Sequence, residues 1–171
     1  MRELLVIILG VLGLASGALG GDASAASGSA EARKHLADFF LRTKGLNRVV
    51  SAADVLQDTR SGKHKYRVVD VRPVEEFEKG HVPGALNIPL DVLFRPESLE
   101  KLPSAGDPIL LVCQSGHMES MALGGLAALG YEPYVLRFGM IGWNAETKVK
   151  AAGSPGQASD LVRGVGGPIE K

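Results

Sequence analysis

The chain has 171 residues, one of them cysteine, and carries 19 Lys and Arg against 19 Asp and Glu. That length holds one domain with a real core and is short for two. Balanced charge excludes electrostatic recruitment to nucleic acid, one cysteine excludes an internal disulfide, and four scattered histidines offer no metal-ligand spacing.

Met1, Arg2 and Glu3 lead into an apolar run from Leu4 to about Leu14, and small residues follow, including Ala23-Ser24-Ala25. A basic start, a short hydrophobic stretch and an A-x-A pattern describe a secretory signal. Residues 1–25 are therefore expected to direct export, to the periplasm or another extracytoplasmic space. The run falls short of the roughly 20 apolar residues a spanning helix needs. The alternatives are an uncleaved membrane anchor, which would be the chain's one membrane contact, and a buried helix, for which Gly10, Gly13 and Gly17 are poor. An exported lone cysteine is either inert in the core or kept for its reactivity.

Residues 22–30 are Gly, Ala, Ser and Asp and read as a flexible spacer. Ala32, Leu36, Phe39 and Phe40 recur at helical spacing and predict a helix over 31–42, docked on the outside of the domain. Val49-Val50 suits a short edge strand, and Ser51 to Asp54 a capping box opening a helix through Leu56. Asp58 to Lys65 reads as a polar loop. Tyr66 to Val71 is a strand, and Val74 to Lys79 a helix begun by Pro73 and closed by Gly80. His81 to Gly84 is turn chemistry before a strand-like piece at 85–89. Asp91 to Leu102 forms one or two helical turns interrupted at Pro96.

Ile109 to Cys113 reads as the central strand, because an uninterrupted apolar run suits a strand covered on both faces. Ser120 to Leu129 is small and apolar, a helix pressed on the sheet, with Gly130 after it. Tyr134 to Leu136 is a further strand, and Gly139 to Ala145 a helix with Trp143 facing inward. Strands alternating with helices predict a parallel sheet flanked by helices. The expected organisation is a leader or anchor at 1–25, linker and leading helix at 26–47, one α/β domain at 48–150, and a flexible tail at 151–171.

Cys113 stands where the central strand stops and Gln114-Ser115-Gly116-His117 begins. In open α/β sheets, chemistry is placed outside the carboxyl ends of the strands. There a thiol faces a helix N-terminus, whose free N–H groups favour an anion. Main-chain N–H groups of Gln114 through Met118 converging on the sulfur would hold it as thiolate, with Gly116 curling the loop at positive φ. Asp70 and Arg72 read as a buried ion pair or as turn-fixing hydrogen bonds beneath the loop, and His81 as the brace of the turn before Pro83.

Several segments, in order, resemble one family. Asp70-Val71-Arg72, Glu75-Glu76-Phe77 and the run from Gly80 to Pro89 are similar to the opening signature of a rhodanese domain. Cys113 to His117 resembles its active-site loop, and Leu129 to Tyr131 and Phe138 to Trp143 its closing segments. The likeness covers roughly residues 48–147. It implies a single-domain sulfurtransferase with a mostly parallel sheet of about five strands. It further implies that Cys113 takes a sulfane sulfur from a donor such as thiosulfate or a polysulfide and becomes a persulfide. The sulfur then passes to a thiol or cyanide acceptor, a protein thiol included, with no cofactor. Gln114, Ser115, Gly116, His117 and Met118 would then form the substrate cradle.

Two positions depart from that pattern. Many such loops carry arginine where this chain has Met118, and a small residue where it has Glu119. The loss of a charged donor predicts weaker binding of a dianion, and hence that Met118→Arg lowers the KM for thiosulfate. A phosphatase of the same fold needs Cys-x5-Arg. Glu119 occupies that sixth position and would repel phosphate. The remaining alternative is a non-catalytic exported module that binds sulfide, persulfide or a protein partner.

Overall fold

The computed structural model describes residues 23–43, 48–63, 65–144 and 164–171. The expected leader lies outside them except for its last three residues. Those residues start the first helix, α1 (Ala23–Thr43), which also absorbs the stretch expected as a spacer. Ala and Ser cost a helix little, and the amphipathic segment behind them supplies the nucleus from which the helix extends. Phe39 is buried, and Arg42 pairs with Glu132 at 2.8 Å. Among the described residues no helix is long and apolar enough to cross a membrane.

The rest alternates as the pattern predicts: β1 (Val49–Val50), α2 (Ala52–Arg60), β2 (Arg67–Asp70), α3 (Val74–Phe77), β3 (Leu86–Asn87), α4 (Pro96–Leu99), β4 (Pro108–Val112), α5 (His117–Ala128), β5 (Glu132–Leu136) and α6 (Gly139–Trp143). Ser51 caps α2 by accepting the Asp54 N–H at 3.1 Å. That helix continues four residues past Leu56, into the segment expected as loop, because its polar residues lie on the outer face. Pro96 begins α4 rather than interrupting a helix, since a first-turn residue needs no N–H partner.

All five strands run parallel in the order β1-β5-β4-β2-β3. The central strand β4 is covered on both faces, and its side chains alternate between two cores. Ile109, Leu111 and Cys113 join Val69, Val135, Ala122 and Leu126 beneath α5. Leu110 and Val112 join Val55, Leu56, Met140 and Trp143 beneath α2 and α6. Strand parity thus sends the Cys113 side chain to the α5 side.

Residues 164–171, expected as part of a flexible tail, are docked instead. Pro168 accepts the Trp143 indole N–H at 2.7 Å, and Gly167 accepts from the Asn144 side chain at 2.7 Å. Glu170 exchanges main-chain hydrogen bonds with His81, both at 3.0 Å. The two buried polar side chains at the end of α6 need partners, and this segment supplies them.

Candidate active site at the end of the central strand

Parallel strands deliver their carboxyl ends to one edge, and β2 and β4 stop side by side there, with Asp70 level with Val112. Asp70 and Arg72 form the buried pair expected from the sequence. The Arg72 guanidinium reaches the Asp70 carboxylate at 2.6 Å and the Gly80 carbonyl at 2.9 Å. The Arg72 N–H closes the turn on the same carboxylate at 3.0 Å. His81 braces the next turn, its Nδ1 3.0 Å from the Phe77 carbonyl and its ring stacked on Phe77.

Beyond β4, residues 113–116 curl into the N-terminus of α5. Gly116 takes φ of 102°, a conformation that favours glycine, and its N–H reaches the Cys113 sulfur at 3.2 Å. The main-chain N–H groups of Glu119 and Ser115 also favour the ionised sulfur. A main-chain cradle therefore exists, but it is drawn from residues 115, 116 and 119 rather than from the whole run 114–118.

The thiolate expected of that cradle is a correction. Cys113 is 1% exposed, and burial pushes its thiol above the ordinary value, with the Glu119 carboxyl adding to the rise. The amide donors pull the other way and are outweighed. Desolvation opposes any buried charge, and a neighbouring carboxylate opposes a second negative one.

Glu119, expected as a negative charge beside the loop, is buried completely, and its Oε2 accepts the Cys113 N–H. Its other oxygen, Oε1, is buried without a partner. Burial raises its carboxyl from an ordinary 4.5 to about 8, against the opposing pull of hydrogen bonds from Cys113. The available signal was an acid where the loop pattern calls for a small residue: so short a spacing from Cys113 folds it back beneath the loop.

The other proposed cradle residues divide. Ser115 Oγ and His117 Nδ1 lie 3.2 Å apart, with His117 exposed. Gln114 contributes its carbonyl, which accepts the Ile141 N–H at 3.2 Å. Met118 packs inward against the core under α5, so its side chain does not stand in for a substrate-facing arginine. The α6 segment closes the far side: Met140 donates to the Cys113 carbonyl at 2.8 Å. Gly139 lies so close to that carbonyl that a Cβ there would collide with it. Phe138 has φ of 63° and is half exposed beside the loop. Among the described residues no group of three or more His, Cys, Asp or Glu is placed to hold a metal.

The model of the rhodanese-like domain matches residues 51–146, more than half of the chain. The chain belongs to the rhodanese-like domain family. YrkF of Bacillus subtilis, named as a candidate sulfur carrier protein, is 34% identical over 83 residues, 47% of this chain and 43% of that protein. YqhL of the same organism is 34% identical over 95 residues, 55% of this chain and 73% of its own length. This rhodanese-like chain thus spans less than half of the first relative and about three quarters of the second. A crystal structure of a Lactobacillus plantarum protein superposes with a TM-score of 0.50 at 24% identity, over 65% of this chain and 89% of that one, and shares the fold.

Proposed function

We propose that the chain is a rhodanese-type sulfurtransferase. Cys113 attacks the sulfane sulfur of a donor, such as thiosulfate or a polysulfide. It holds that sulfur as a persulfide and yields it to a thiol or cyanide acceptor. One observation carries this reading: the chain's single thiol sits at the carboxyl end of β4 with the main-chain N–H groups of 115, 116 and 119 turned onto it. Such a nest stabilises the negative sulfur that each displacement step creates. Family membership and the likeness to YrkF support it. Export through residues 1–25 is part of the proposal, and a protein thiol is a fitting acceptor outside the cytoplasm.

Incubating the protein with thiosulfate or polysulfide and weighing it tests the reading. A gain of one sulfur atom is expected, absent in Cys113→Ala. No gain from any donor would leave the second reading, a non-transferring module that binds sulfide, persulfide or a partner. The burial of Cys113 and its raised thiol favour that alternative. Fractionation that finds the full-length chain in the cytosol would remove export.

A further inference from the structure

The carboxyl of Glu119 has no structural need to be an acid. Its Oε2 satisfies the Cys113 N–H, a task an uncharged oxygen performs equally well. Its Oε1 is buried, makes no hydrogen bond, and faces the underside of the loop, where a methyl group placed on Gly116 would stand 3.8 Å away. Gly116 is the residue whose N–H touches the Cys113 sulfur. The unpartnered oxygen is therefore aimed at the thiol's own surroundings.

Resting on the sulfurtransferase reading, we propose that Glu119 takes and returns the proton of Cys113, and that the donor and acceptor are accordingly thiol-borne persulfides and thiols rather than an oxyanion such as thiosulfate.

The step balances without any other reactant. The Cys113 thiol passes its proton to the Glu119 carboxylate and attacks the outer sulfur of a hydropersulfide, R–S–SH. The Cys113 S–S bond forms as the R–S bond to that sulfur breaks. The departing RS⁻ takes the proton from Glu119 and leaves as RSH. Delivery runs the same steps backwards, the acceptor thiol giving its proton to Glu119. A thiolate of ordinary pKa, about 8.5, is a poor leaving group that gains from a matched acid. Sulfite leaving from thiosulfate gains much less. Thiosulfate would also bring two negative charges beside Glu119 and toward Asp70.

The charged groups around the pair are few. Asp70 lies at the end of β2 and is neutralised by Arg72. His117 sits two residues before Glu119 on α5, and its ring is turned outward to Ser115.

Loading of the full chain is followed by mass with glutathione hydropersulfide and with thiosulfate, across a range of pH, in the wild type and Glu119→Gln. The wild type is expected to load from the hydropersulfide roughly tenfold faster or more. Its rate should rise as Glu119 loses its proton near 8 and fall when the pair loses its second. In Glu119→Gln the falling limb and the donor preference disappear. Iodoacetamide at about pH 9 should alkylate the variant roughly tenfold faster, because no carboxylate opposes the thiolate.

Equal or faster loading from thiosulfate in the wild type would overturn the inference and leave sulfur transfer standing. That measurement needs no variant to fold. An alkylation profile unchanged by Glu119→Gln would overturn it as well. Failure of both donors to load Cys113 would remove the sulfurtransferase reading and this inference together.

Discussion

The Glu119 carboxyl accepts the main-chain N–H of Cys113 and so ties the first turn of α5 back to the end of β4. The folded state holds a proton on this group up to about 8, whereas the unfolded chain releases it near 4.5. Between those values the folded protein binds more protons, so stability declines as pH rises through that window. The slope is at most on the order of 1 kcal/mol per pH unit. Urea midpoints between about pH 5 and 8 should fall in the wild type, and the fall should be flatter in Glu119→Gln. Parallel trends in the two proteins would show that another group sets the slope.

Met118→Arg is expected to weaken the fold without improving thiosulfate binding. The methionine packs against the core that holds Val69, Leu111 and Leu126. A guanidinium there must either lose water or snorkel outward and leave a gap, at about 1–3 kcal/mol. Chemical denaturation reads the loss, and thiosulfate kinetics read the binding. A lower KM with unchanged stability would show that the arginine finds the site.

Phe138 holds φ of 63° without being glycine. A side chain in the left-handed region costs roughly 1–2 kcal/mol, and a β-branched one fares worse. Phe138→Gly should therefore match or exceed the wild type by up to about 1 kcal/mol, after the entropy of glycine is set against the relief. Phe138→Val should lose about 1–2 kcal/mol. Thermal melts that rank valine above glycine would contradict the strain.

Deleting residues 164–171 strips the Trp143 indole N–H and the Asn144 amide of their partners. Two unsatisfied buried groups amount to about 3 kcal/mol. Trp143 is the only tryptophan of the chain, so its emission reports the change directly. A red shift and a lower melting temperature are expected. Unchanged emission would mean that the segment lies elsewhere.

Strand parity and apolar runs made the sheet legible: Ile109 to Val112 is buried on both faces, as suits a parallel sheet between helices. The position of Cys113 followed from that strand's end, and the positive φ of Gly116 from the tightness of the turn. What could not be read depends on contacts distant in sequence. The docking of 164–171 is set by two polar groups at the end of α6, which periodicity does not reveal. The state of Cys113 turned on its own burial and then on Glu119, and the burial of both is decided by the fold rather than by place in the chain. Local pattern gives the amides, while desolvation belongs to the whole domain.

The main chain at Cys113 is gripped from both sides, its N–H by Glu119 and its carbonyl by Met140. With both peptide planes pinned, a loaded side chain keeps two joints, the torsions about Cα–Cβ and Cβ–Sγ. The outer sulfur therefore sweeps only a small volume about a fixed Cα. Whatever receives it has to travel to position 113, so the reach of the transfer is set by the visitor's geometry.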